Sequence, residues 1–368
     1  MKITLTNLMN NLYMAWAIAR KDIADALKNK ATRTNILVML GVVVFFSWCS
    51  NVRPWDKRID TVIYDEGNTS LVFDTPELAD GYSFEFYEAS SMPEMERTMT
   101  YKGMGLAVGI VLPADFDQAI EAGGELSLDG YILWVHRGKV AEWEVLYSEK
   151  FTELLGRPVR VEIGGNIVTP PPDAQSTSTN FTLLFAIFWM AFMVVPHLML
   201  EEKRTKTLDA LLVSPITAGQ VVMGKALAGL FYVGLAGGLS FAPNWAYVTD
   251  WGLALLAFLG TILFAIGSGL ALGSFLQSPG QLSLWGWVIN IFLLVPPLIA
   301  LDPLLAEGLR AILSWLPTTA LAKLFQFSFS AGVTPSQVWT NLAIALGWTG
   351  PVYALVVWKI RQRPQGSG

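Results

Sequence analysis

Charge is what this chain has least of. Only 15% of its 368 residues are Asp, Glu, Lys or Arg, against roughly 25% in soluble domains. Residues 35–52, 174–200, 226–249 and 251–301 contain none at all. Uncharged runs of that length do not belong to a soluble fold; they fit helices that cross a hydrocarbon layer about 30 Å thick. Cysteine is almost absent: Cys49 is the single one, so no intrachain disulfide can staple the chain. The two histidines, His136 and His197, leave no His/Cys/Asp cluster with metal-ligand spacing, and no metal site is expected. No nucleophile, base and oxyanion set is recognisable, so catalysis by this chain is not expected. The net charge of -5 argues against nucleic acid as a partner.

The charge that is present is sorted by sign. Residues 51–178 hold 22 acidic against 10 basic residues, whereas 1–34, 200–226 and 358–368 together hold 13 basic against 5 acidic. Lys and Arg near span ends mark the cytoplasmic side. The expected topology therefore has cytoplasmic termini and an even number of spans, with residues 53–175 extracytoplasmic in the plasma (inner) membrane.

In chain order, residues 1–34 lack a signal-peptide cleavage site. Tyr13, Trp16, Ala17, Ile23, Ala24 and Leu27 fall on one face, which predicts a cytoplasmic amphipathic helix in the membrane interface. Residues 35–52 are the first span. Residues 53–175 change character: strands are expected at Asp60–Tyr64, Ser83–Tyr87, Leu106–Leu112, Asp129–Val135 and Val159–Ile163, with helices from Pro113 to Glu121 and from Val140 to Leu155. Strands interleaved with helices predict an α/β domain. Spans follow at 178–200, 219–248, 251–276, 281–301 and 335–358, the last held by Lys359, Arg361 and Arg363 in a tail over 359–368. Residues 302–334 carry Asp302, Glu307, Arg310 and Lys323 among apolar residues, and predict amphipathic or re-entrant helices at the outer surface. The fold class is thus a polytopic α-helical membrane protein: six transmembrane helices, an N-terminal amphipathic elbow helix and an α/β extracytoplasmic domain.

The most specific stretch is Glu201 to Lys225, EEKRTKTLDALLVSPITAGQVVMGK, placed between two uncharged runs. Thr207, Leu208, Ala210, Leu211, Leu212 and Val213 predict a short amphipathic helix stopped by Pro215. The run resembles the cytoplasmic coupling segment of ABC-2 type permeases, the membrane subunits of a class of ABC exporters with a type V, ABCG-like fold. Gly109-Ile-Val-Leu-Pro-Ala-Asp-Phe116 also resembles a segment of their extracytoplasmic domains. The resemblance implies a permease that forms the translocation pathway and is driven by separate cytoplasmic ATPase subunits, two per complex. It implies a second permease copy, identical or related, in the lipid membrane. No cofactor is expected on this chain; ATP and Mg belong to the partner ATPase. Glu201, Glu202, Lys203, Arg204, Thr207, Leu208, Leu211, Leu212, Ser214 and Pro215 would couple to that ATPase, and Arg20, Lys21 and Asp22 of the elbow helix would contact it.

Three weaker signals complete the reading. Gly219 to Ala226 imitates the spacing of a phosphate-binding loop, but it lacks a preceding buried strand and a hydroxyl after the lysine, so Gly224-Lys225 reads as a tight helix entry with an interfacial lysine. Gly234 with Gly238 and Gly269 with Gly273 stand at the i, i+4 spacing of close helix packing. Asn290, strongly polar within the fifth span, and His197, beside Pro196 in the second, are candidate pathway residues, although a hydrogen-bonded structural role suits a lone histidine better. The alternative class, a receptor whose outer domain reads a ligand, would need a cytoplasmic output domain. None is recognisable here.

Overall fold

The computed structural model describes residues 2–28, pieces of 33–45 (33–34, 37–38, 40–42 and 44–45), 58–67, 69, 83–102, 108–123, 126–168, 177–205, 217–242, 245, 248–300 and 305–362. Most of the first expected span therefore lies outside the described residues. So does the whole of 206–216, where the short helix was expected.

The strands anticipated in the polar region form a mixed sheet. β1 (Arg58–Asp65) is flanked in parallel by β2 (Ser83–Ala89) and β3 (Val108–Leu112); β4 (Leu126–Leu133) runs antiparallel to β3 and carries β5 (Val159–Glu162) and β6 (Ile167–Val168) in parallel. Every residue of β3 is buried because helices cover both faces of the sheet. On one face α2 (Met92–Lys102) places Met95 and Met99 so close that a Cβ on Gly109 would sit 2.7 Å from the Met99 sulfur. On the other, α4 (Val140–Leu155) packs Trp143, Tyr147 and Phe151. Glu144 of α4 accepts the N–H groups of Ile163 and Gly164, both at 2.9 Å, pinning the turn after β5. Between these lies α3 (Phe116–Ala122), its last carbonyls held by Arg157. The sequence reading had no counterpart for α2, whose polar composition masks two buried methionines one turn apart.

Among the described residues five helices are long and apolar enough to cross a membrane: α5 (Thr177–Thr205, apolar over Thr182–Lys203), α6 (Ala218–Phe241), α7 (Trp251–Phe275), α8 (Pro279–Ala300) and α11 (Pro335–Arg361). The chain is accordingly a multi-pass membrane protein. The third span ends at Phe241, earlier than the expected 248. α5 is the hub of the bundle, packing on α6, α7 and α8. Its aromatic rings set the register: Phe188 meets Phe264 of α7 at 6.0 Å, and Trp189 meets Trp287 of α8 at 4.5 Å. α7 approaches α5 closely because Gly269 and Gly273 leave room; a Cβ on either would lie 2.8 Å from Ala191 O or from Pro196. Pro196 thus sits within an unbroken helix, its backbone against Gly273. The other expected pair, Gly234 with Gly238, has nothing within 4 Å of either added Cβ, so it makes no close helix contact among the described residues.

The awkward segment before the last span folds into two helices, α9 (Glu307–Ser314) and α10 (Pro317–Ser328). α10 is inserted among α5, α7, α8 and α11 and is buried along its length except at Lys323. Its C-terminal end is tied to the start of α7: Ser328 O accepts Thr249 N (2.9 Å), Asp250 N (3.1 Å) and Thr249 Oγ1 (2.8 Å). Deeper in, Leu321 lies against Gly260, and Trp315 O accepts the Trp348 indole N–H at 3.0 Å, near the middle of α11. The turn between α9 and α10 is therefore a tip halfway down the bundle.

Truncation of a ring in the α/β core should be expensive. Phe151→Ala is expected to remove about 3–5 kcal/mol, seen as earlier proteolysis within 58–168 while cleavage of the membrane part is unchanged.

Candidate functional site

Where α1 (Lys2–Lys28), the C-terminal end of α5 and the N-terminal end of α6 converge, the chain buries charge. α6 is started by Thr217, whose hydroxyl accepts Gln220 N while the Gln220 side chain accepts Thr217 N, a reciprocal cap. One turn on, Gly224 removes a side chain where α1 crosses. A Cβ there would stand 2.7 Å from Ile18 Cβ and 2.9 Å from Ala15 O. That notch brings Ala15, Ile18, Ala19 and Asp22 of α1 into the packed interior.

Lys225 is fully buried, and a buried ammonium requires anions. It finds two: Nζ donates to Asp22 Oδ2 at 2.9 Å and lies 3.1 Å from Glu202 Oε1 of α5. Lys21, half-exposed, stands 3.8 Å from the same Glu202 oxygen. Glu202 Oε1 is thus in ion-pair range of two ammonium groups, and neither of its carboxylate oxygens has a hydrogen-bond partner among the described residues. Two carboxylates and two lysines close the set at zero net charge. The Tyr232 hydroxyl adds a bond to Ile23 O at 3.2 Å, extending the seam between α1 and α6.

The neighbouring residue fastens a fourth helix. Lys203 Nζ donates to Gly273 O (2.6 Å), Ser274 O (2.7 Å) and Leu276 O (2.8 Å) at the end of α7. The last carbonyls of a helix have no intrahelical donor and carry the negative end of its dipole, so one ammonium satisfies both needs.

These positions change the reading of several expected residues. Glu201, Glu202 and Lys203 do not begin a separate hairpin; they are the last turns of α5, which runs to Thr205. Glu202 and Asp22 are buried in contacts within the chain, and Lys203 is engaged with α7, so none of these three presents a free charge to a docking partner. Arg20 and Glu201 are exposed. Arg204 is in the helical backbone of α5 with its side chain outside the described residues, as are Thr207, Leu208, Leu211, Leu212, Ser214 and Pro215 entirely. Lys225 is buried, not interfacial, and the Gly219–Ala226 stretch that imitates a phosphate loop is helix. On α1 the packed face is Ala15, Ile18, Ala19 and Asp22, while Tyr13 and Trp16 of the expected apolar face are exposed. His197 is exposed on α5, and Asn290 is buried in α8 with no partner for Oδ1 among the described residues. Among the described residues no group of three His, Cys, Asp or Glu could hold a metal. The signal for Lys225 was available: a single charge between Asp209 and Asp250 in an apolar run calls for a buried counter-ion.

Comparison with known proteins gives two concordant results. A family model described as ABC-2 family transporter protein matches residues 158–359. A protein named probable multidrug ABC transporter permease YbhR is 26% identical over 303 residues, 78% of this chain and 80% of its own, in both Escherichia coli K12 and Escherichia coli O157:H7.

Lys225→Met alone strands two carboxylates and should cost about 3–5 kcal/mol, while exchange of all buried members for apolar residues can be near neutral. In thermal unfolding of the purified chain, Lys225→Met should melt well below wild type, and Asp22→Leu/Glu202→Leu/Lys225→Met should recover most of the loss. Lys203→Met should cost about 1–3 kcal/mol through three orphaned carbonyls.

Proposed function

We infer, from the premise that this chain belongs to the ABC-2 family of transporter proteins and is a permease subunit of an ABC transporter, that it forms the translocation pathway of an exporter and is driven by two cytoplasmic ATPase subunits. ATP and Mg are held by those subunits. The chain works beside a second permease copy, identical or related. The charged end of the bundle, where α1, α5 and α6 meet, faces the cytoplasm with both termini, as the surplus of Lys and Arg there favours; residues 53–175 lie on the other side, and the membrane is the inner, plasma membrane.

The observation that carries this reading is the ionic junction. Residues 206–216 connect α5 to α6 directly beside it, so a push on that connection reaches Glu202 and Lys225 within a few residues. Asp22 passes the displacement to α1, and Lys203 passes it to α7. Four helices then move as one body, which is what a power stroke delivered at one short segment requires. Arg20 and Lys21, on the outer side of α1, are the elbow-helix groups left to meet the ATPase; Asp22 and Glu202 act as positioning residues behind the contact. Leu208, Leu211 and Leu212 are the apolar anchors of the docking helix, with Thr207, Ser214 and Pro215 fixing its ends.

The test is ATP hydrolysis by the complex of this permease with its ATPase. Leu211→Asp or Leu212→Asp is expected to lower permease-dependent hydrolysis about ten-fold or more, the effect of placing a charge in an apolar contact. Unchanged assembly and turnover in both variants would overturn the coupling assignment.

A further inference from the structure

The inserted helix α10 carries polar groups that nothing among the described residues satisfies. Thr318 and Thr319 are fully buried in its first turn, and neither hydroxyl has a hydrogen-bond partner among the described residues. Asn290 of α8, 3% exposed, leaves Oδ1 equally unpartnered. The ring and glycine contacts place these groups at one depth. Trp287 is level with Phe264 through the α5 aromatics, so Asn290, a turn of about 4.5 Å further on, is level with Thr261. Leu321 is level with Gly260, so Thr318 and Thr319 are level with Ile262 and Leu263.

A cation stands above them. Thr319 and Lys323, four residues apart, share the face of α10 turned away from Leu321 and α7. A long side chain on a helix leans toward the N-terminus, which carries the Lys323 ammonium back toward Thr319. Lys323 is half-buried and makes no ion pair or hydrogen bond among the described residues. A half-buried ammonium with no anion among the described residues favours whatever neutralises it. Arg310 donates to Leu305 O at 3.2 Å and adds positive potential; Glu307, one turn before it, is exposed. Pro317 has no N–H and Ala320 N donates to Leu316 O, so the Thr318 and Thr319 amides are the first-turn donors that the helix itself leaves open.

We propose that the face of α10 bearing Thr319 and Lys323 binds an anionic group, the acidic head of an amphiphile, with Lys323 as its charge partner and the Thr319 hydroxyl and the open first-turn amides as hydrogen-bond donors. Hydroxyls and amides that cost free energy while unpaired are repaid when the anion seats. Because the hairpin is embedded among apolar helices, the chain attached to the anion has apolar surface beside it. As a cargo class, this rests on the transport reading given above; as a binding site, it does not.

The experiment uses the full-length permease in phosphatidylcholine nanodiscs, without nucleotide, and follows thermal unfolding on titration with dodecyl phosphate, dodecyl maltoside and inorganic phosphate. Dodecyl phosphate is expected to raise the melting temperature saturably and dodecyl maltoside to leave it unchanged. Lys323→Gln and, independently, Thr319→Val should weaken the dodecyl phosphate response about ten-fold, with Lys323→Arg close to wild type. An equal response to inorganic phosphate would keep the anion site and overturn the amphiphile. A dodecyl phosphate response that is the same in Lys323→Gln, Thr319→Val and wild type would overturn the proposal. Since no ATPase is present, failure here leaves the coupling assignment standing, and failure of the Leu211 test leaves this one.

Discussion

An ammonium group inside an apolar bundle has to be neutralised by something within hydrogen-bond reach, and Lys225 imposes that condition on three helices. Its two anions come from 203 residues earlier and 23 residues earlier in the chain, so α1 and α5 are held to α6 by one side chain. The carboxylates gain less from the pairing than its Coulomb attraction suggests, since both had to leave water. What the arrangement secures is register: α1 can slide along α6 only by pulling Asp22 off Lys225. Gly224, adjacent in sequence, makes the approach close enough for the ion pair to form.

The same logic, with carbonyls as the anions, operates at Lys203. Three backbone oxygens at the end of α7 converge on one ammonium at 2.6–2.8 Å. Lys203 follows Glu202, so consecutive residues of α5 send one charge to α6 and the other to α7. Further along, contact between these helices is made by small residues and rings: Gly269 and Gly273 against α5, Phe188 against Phe264. Rigid packing along the bundle and ionic fastening at its end together make a body suited to transmitting displacement, because a tightly packed interior resists local deformation.

The far half of the bundle is built on the opposite principle. α10 is buried yet keeps polar groups without partners among the described residues, and its one half-exposed residue is a lysine. Its outer end is well satisfied through Ser328 and Thr249, so the unpaired groups are confined to the tip.

Long uncharged runs, the acidic excursion and the basic flanks were legible directly, because hydrocarbon excludes charge wherever a helix crosses it and that rule acts residue by residue. Strand alternation in 58–168 was legible for the same local reason, and the run from Glu201 to Lys225 carried the family. The sequence could not show that α1 turns Ala15, Ile18, Ala19 and Asp22 inward and leaves Trp16 outside, that Glu202 and Lys203 face inward instead of toward a partner, or that 317–328 enters the bundle. Each of these depends on which surface a distant segment brings opposite, and helical periodicity fixes only which residues share a face, not what that face will meet.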